Sequence, residues 1–154
     1  MIMIFLFGRY NEQGLDVLTY LGWCVWGLSV VFGFLPILIL KRRGGVKKGK
    51  SYVHTEKLVD TGLYSIIRHP QYTAGILLSA ALVLISQNLL VLILGALMIL
   101  LLYIDIILAD RHDVEKFGEE YRDYMKRVPR TNFILGIIRV LFNKIPGGRN
   151  RRKG

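Results

Sequence analysis

The chain has 154 residues, 53% of them hydrophobic, a positive mean hydropathy, and a formal charge of +10 from 21 basic and 11 acidic residues. That apolar content is more than a soluble domain with a polar exterior carries, so composition points to an integral membrane protein. The basic excess does not point to nucleic acid: the charges flank apolar stretches and finish in a glycine-rich tail, where attraction to anionic lipid headgroups accounts for them.

Met1 to Phe7 is apolar but has no basic region before it and no small-residue cleavage site, so it reads as an interfacial lead-in and not as a signal peptide. Val17 to Leu40 follows, 24 residues without a charge. At ~1.5 Å per residue it exceeds the roughly 30 Å hydrocarbon core and can span once. Cys24 stands alone inside it and reads as a packing residue. Lys41 to Ser51 is a glycine- and lysine-rich linker, whereas Tyr52 to Pro70 mixes polar, aromatic and charged residues in the manner of an ordered loop.

Pro70 to Ile104 is again uncharged but too long for one span, and Ser86-Gln87-Asn88 near its middle suits a tight turn. The expectation is a helical hairpin with arms of about Tyr72 to Ser86 and Leu89 to Leu108. The first arm is short enough to need bilayer thinning or burial against neighbours, which keeps a homodimer in view. Val114, Phe117, Tyr121, Met125 and Val128 then recur at spacings of three and four, predicting one amphipathic helix over Asp110 to Val128, ended by Pro129. Phe133, Ile134, Ile137, Ile138 and Leu141 form a second stripe, too short to span and suited to the interface.

Basic residues cluster after the first span (Lys41, Arg42, Arg43, Lys47, Lys48, Lys50) and beyond the hairpin, which puts both regions in the cytoplasm by the positive-inside rule. The expected architecture is an all-α integral membrane protein with about three transmembrane helices, one plus a helical hairpin, and cytoplasmic amphipathic C-terminal helices. A single domain covers 1–154: first span within 1–40, cytoplasmic loop 41–69, hairpin 70–109, interfacial helices 110–146 and basic tail 147–154.

The segment Gly62-Leu63-Tyr64-Ser65-Ile66-Ile67-Arg68-His69-Pro70-Gln71-Tyr72 leads from the loop into the hairpin. Pro70 fits a helix's first turn, where its missing donor is not needed. A helix N-terminus beside the Arg68 fork favours a carboxylate or phosphate. Anchoring of a span at headgroup level by Arg68, His69, Tyr64 and Tyr72 explains the same residues equally well.

Leu58-Val59, Gly62-Leu63-Tyr64, Arg68-His69-Pro70-Gln71-Tyr72, a hairpin, Phe117-Gly118-Glu119-Glu120-Tyr121-Arg122-Asp123-Tyr124 and Val128-Pro129 occur in order. Over roughly Tyr52 to Arg130 this pattern resembles the isoprenylcysteine carboxyl methyltransferase and phospholipid methyltransferase superfamily. The resemblance implies S-adenosylmethionine as cofactor, bound by Leu58, Val59, Tyr64, His69, Pro70, Gln71 and Tyr72. Glu56 and Lys57 fall in the same stretch, although the family has histidine and threonine there. Ala74-Gly75 replaces an earlier family glycine and still permits close packing.

A larger departure lies upstream of Phe117: the family's Glu-Glu pair falls on Ala109-Asp110, and its substrate-side arginine on Asp105. By resemblance Asp110 is the cofactor-side acid. An aspartate at 105 suits an amine headgroup where an arginine would suit a carboxylate, so Asp105 and Arg68 are the catalytic candidates and an amine-bearing lipid is the favoured acceptor. Contact of Asp105 with the interface, or pairing with a base, is the bland alternative. His112, seven residues on, could accept a proton from an ammonium acceptor, although such a histidine is more often a surface residue. His54 carries a weaker signal, and no cluster has metal-site spacing.

The resemblance implies methyl transfer to a lipid or lipid-linked acceptor at the membrane, with no nucleic-acid partner expected. The rivals are an NADPH-dependent membrane reductase, since sterol-reductase-like families carry a similar Arg-His-Pro-x-Tyr element, and a non-catalytic membrane protein.

Overall fold

The computed structural model describes residues 8, 10–45 and 55–144. Met1 to Phe7, His54, much of the 41–51 linker and the tail lie outside them. Among the described residues there is no strand: the elements are α1 (Asp16–Arg43), a 3-10 turn (Gly62–Ser65), α2 (Pro70–Ser86), α3 (Leu89–Phe117), α4 (Glu119–Arg127) and α5 (Phe133–Lys144). They divide into two compact units, 1–35 with 71–111, and 36–70 with 112–154. The helix α1 passes from one to the other at Pro36, which cannot donate to the helical ladder.

In the first unit helices meet where side chains are missing. A Cβ on Gly22 of α1 would stand 2.7 Å from Ile85 Cγ1 and 3.1 Å from the Ala81 carbonyl oxygen. Seven residues on, the buried Ser29 hydroxyl donates to the Ala74 carbonyl at 3.0 Å. Partners that descend from Ile85 to Ala74 as α1 ascends make the pair antiparallel. The α2–α3 hairpin uses the same device: Gly75 faces Leu102 and Gly95 faces Val83, at 2.9 and 2.7 Å from an added Cβ. Lipid supplies no hydrophobic drive between helices, so close van der Waals approach of small residues has to supply it.

The turn between α2 and α3 is capped group by group. Gln87 adopts φ +54 after the last helical residue, and Asn88 follows as the cap of α3, its side-chain oxygen accepting from the Leu90 and Val91 amides at 2.9 and 3.2 Å. The carbonyls of Ile85 and Ser86, without helical partners at a C-terminus, accept from the Asn11 and Glu12 amides. Gln87 adds bonds to the Leu15 backbone and the Thr19 hydroxyl.

Among the described residues two helices, α1 and α3, are long and apolar enough to cross a membrane, and little of the apolar stretch of α3 is buried. Leu89, Leu90, Ile93, Leu97, Leu101 and Leu108 are among its exposed side chains, an arrangement with lipid and not water as its solvent. The 17-residue α2 is apolar but shorter.

One expectation is corrected. The helix predicted over Asp110–Val128 is divided: α3 runs on to Phe117, Gly118 breaks the ladder at φ +60, and α4 starts at Glu119. A left-handed residue costs glycine nothing sterically, and the three-and-four spacing continues unchanged across the break, which is why periodicity alone misses it. In the second unit Tyr121, Tyr124 and Val128 form a buried cluster, with Leu58, Val114, Phe117 and Met125 packed against it.

Candidate functional site

In the second unit the loop 55–69 is tied down by the end of α1. The Gly44 carbonyl accepts from the Glu56 and Lys57 amides at 2.8 and 3.3 Å, and the Arg43 guanidinium donates to the Thr61 hydroxyl at 2.7 Å. Gly62, at φ +65, lies against Ile39. The side chains of Glu56 and Lys57 are left exposed, Leu58 is half-buried, and Val59 and Tyr64 are buried.

The 3-10 turn is short, with i→i+3 bonds of poorer geometry than those of an α-helix, and each of its carbonyls receives a donor. The Ser65 hydroxyl donates to Gly62 O at 2.7 Å, and the Ile66 and Ile67 amides donate to Leu63 O. The Tyr124 phenol donates to Tyr64 O at 2.6 Å, and the Arg139 guanidinium of α5 donates to Ser65 O. Burial pushes the Tyr124 phenol far above its ordinary pKa, so it remains a donor. Gly136 of α5 sits directly on the Ile66 carbonyl, where any Cβ would fall inside the oxygen's van der Waals shell.

Arg68 and His69 are both buried, and their amides donate to the carbonyls of Pro129 and Arg130 at 3.0 and 3.2 Å. These two amides, just before the helix that Pro70 opens, therefore hold the loop to the segment after α4 and are not offered to an anion. His69 Nε2 lies 3.5 Å from the Tyr121 hydroxyl, the outer limit of a hydrogen bond. Tyr121 hydrogen-bonds to the Asp113 carboxyl, and His69 lies close enough to act on it electrostatically. With its proton given to Asp113, the Tyr121 oxygen is left to accept from the histidine.

Asp113 stands in the polar end of α3, beyond the apolar run that closes at Leu108. Burial pushes its carboxyl above the usual range, opposed by His69, the Tyr121 hydrogen bond, His112 and Lys116. The result is a half-buried carboxyl, phenol and imidazole in series, able to hold a proton and to orient the His69 ring.

The second unit thus brings together Leu58, Val59, Tyr64, Arg68, His69 and Pro70, with Glu56 and Lys57 exposed on the same loop. Gln71 and Tyr72, half-buried in the first turn of α2, belong to the first unit. So do Asp110, buried in α3, and Asp105, exposed on it. His112 is exposed. Asp113, Tyr121 and Arg139 make contacts within this candidate site that sequence reasoning did not assign. Tyr121 lay within the Phe117–Tyr124 motif, but Asp113 follows Asp110-Arg111-His112, a polar run in which spacing singles out no member.

A family model described as phospholipid methyltransferase matches residues 17–120. A methanethiol S-methyltransferase from Pseudomonas deceptionensis is 35% identical over 123 residues, which cover 77% of this chain and 45% of that protein. The chain therefore spans less than half the length of this curated relative. No solved structure matches. The match across 17–120, which contains the Arg68-His69-Pro70 element, the hairpin and the start of α4, shows that the chain belongs to the phospholipid methyltransferase family.

Proposed function

We propose that this chain transfers a methyl group from S-adenosylmethionine to an amine-bearing lipid at the cytoplasmic membrane surface. The observation that carries the reading is the pinned Arg68-His69 segment with its His69–Tyr121–Asp113 series, set in a loop whose every turn carbonyl is occupied. A loop fixed in this way is preorganised, and methyl displacement from a sulfonium depends on alignment and exclusion of water more than on covalent assistance.

The donor set fits the cofactor. Glu56 and Lys57 place opposite charges side by side on the exposed loop, matching the ammonium and carboxylate of its amino-acid end. Leu58, half-buried on the Tyr121–Tyr124 cluster, adds an apolar surface against which a purine can pack. When bound, the cofactor supplies an electrophilic methyl carbon. Val59, Tyr64 and Pro70 are assigned to the same binding stretch. Asp105, an exposed carboxylate in an apolar part of α3, is assigned to the acceptor's ammonium, and Arg68 to holding the His69 segment beside the reacting atoms.

In this reading α1, α2 and α3 cross the membrane, with loop 41–69 and the C-terminal helices cytoplasmic. The short α2 is matched to the bilayer by local thinning or by pairing with a second copy.

The printed name of the Pseudomonas deceptionensis relative favours a second acceptor class, a small thiol. Membranes containing the chain, incubated with methyl-labelled S-adenosylmethionine and either endogenous lipid or methanethiol, separate the two. Label in extracted lipid supports the amine-lipid reading, and label in a volatile thioether supports the thiol. Loss of either product in His69→Ala places the reaction at this site. No labelled product from any acceptor would remove the enzymatic reading, and binding of NADPH instead of S-adenosylmethionine would transfer it to the reductase class.

A further inference from the structure

The helix α5 is amphipathic in the reverse of the usual sense. A surface helix of a globular domain turns its apolar stripe to the core and its polar residues outward. Here Gly136 and Arg139 face the protein, on the Ile66 and Ser65 carbonyls, and the outward face is formed by Ile134, Leu135, Ile137, Ile138, Leu141 and Phe142, all exposed. At roughly 100° per residue these six fill one continuous arc of about 160° with no polar residue inside it. Water is a poor solvent for such a face, so something covers it.

Length and charge select the occupant. Twelve residues of helix reach about 18 Å, short of the roughly 30 Å needed to cross a bilayer, so α5 can lie on a membrane but not traverse it. From Tyr124 to Gly154 the sequence has nine basic residues and no acidic one: Lys126, Arg127, Arg130, Arg139, Lys144, Arg149, Arg151, Arg152 and Lys153. A protein groove offers an apolar helix no reason for that charge. An anionic lipid surface offers acyl chains for the six side chains and headgroups for the bases.

We infer that the outward face of α5 docks into an anionic lipid surface, and that this docking fixes the turn Gly62–Ser65 through Gly136 and Arg139. The turn is only four residues long, and two of the contacts that hold it and its cap Ile66 from outside belong to α5. A seated α5 presents a rigid platform to Ser65 and Ile66, and an unseated one lets the platform move. The inference concerns lipid and loop order, so it stands whether the acceptor is an amine lipid or a thiol.

The test uses the full chain reconstituted in vesicles of phosphatidylcholine alone or mixed with phosphatidylglycerol. With Cys24→Ser as background, an environment-sensitive dye is attached at Ile138→Cys on α5 or at the exposed Lys126→Cys on α4. Lipids brominated in the acyl chain are expected to quench the Ile138 position several-fold more than the Lys126 position, and more in the anionic vesicles. Amide hydrogen exchange of residues 62–67 is expected to slow several-fold on moving to the anionic vesicles. Leu141→Asp, a change elsewhere on the outward face that leaves the labelled position in place, should abolish both effects, with exchange in α2 and α3 unchanged as evidence of folding. Equal quenching at the two positions by aqueous iodide would overturn the docking. Exchange at 62–67 indifferent to lipid charge despite deep quenching would overturn the coupling. Protection of Ile138 that persists in detergent and rises with protein concentration would show a second copy on the face, and would overturn the lipid assignment.

Discussion

In the first unit Gly22, Gly75 and Gly95 let helices meet where a single added carbon would collide with Ile85, Leu102 and Val83, whereas in the second unit Ser65, Tyr124 and Arg139 reach out to fill one loop carbonyl after another. The contrast follows from what surrounds each kind of backbone. Helices satisfy their own amides and carbonyls, so in an apolar solvent the remaining source of attraction is closeness, and small residues provide it. A four-residue 3-10 turn has only a short i→i+3 ladder of poorer geometry, and side-chain donors supplement it. A site that must hold a polar cofactor is better built on the second kind of structure, because its rigidity comes from groups that can also be aimed.

The largest break in that contrast is expected from putting a side chain where the second unit uses none. Gly136→Val must push α5 off the Ile66 carbonyl, a backbone atom that cannot rotate away, and should cost the second unit about 3 kcal/mol. Proteolysis of the 55–69 loop in the reconstituted protein measures it, and unchanged cleavage would mean the contact is not a constraint. Next comes Tyr124→Phe, which strips the donor from a buried carbonyl at Tyr64 and should destabilise by about 2 kcal/mol in denaturant unfolding. The corresponding cut in the first unit is smaller. Asn88→Ala removes the cap of α3 and the 2.6 Å bond to Glu12, with an expected loss of about 1 kcal/mol.

The part of this contrast that was legible in the sequence is the part set by local rules. Pro70 marked the start of α2, and Ser86-Gln87-Asn88 marked the hairpin turn to within a residue, because a missing donor and a left-handed position leave their trace in single residue types. The Tyr64-to-His69 stretch was legible because it resembles a motif. The break at Gly118 was hidden behind a periodicity that runs through it. Asp113 was hidden for a different reason: Asp110, Arg111, His112 and Asp113 look alike as a charged run, and only the fold shows that Asp113 is the one carried to Tyr121 and His69. Arg139 was invisible for the same reason, since nothing local says that its guanidinium caps Ser65.

The smallest effect sharpens the comparison through pH. The folded protein holds the Asp113 proton more tightly than an unfolded chain does, because burial raises its pKa. Its contribution is therefore fully present at low pH and is lost as pH rises above the ordinary carboxylate range through the folded value. Asp113→Asn, which cannot ionise, should remove this decline in second-unit stability while leaving exchange of the α2 and α3 amides unchanged. A decline of the same size in the variant would assign it to another group.

Titration calorimetry of the full chain in lipid nanodiscs with S-adenosylmethionine tests the central claim most directly, run beside His69→Ala and Tyr121→Phe. The account predicts saturable binding by the native chain, a loss of tenfold or more in His69→Ala, and a smaller loss in Tyr121→Phe, where the ring stays but its hydroxyl no longer links His69 to Asp113. Native-like affinity in both variants would contradict it, because the cofactor would then be held somewhere that these residues do not reach.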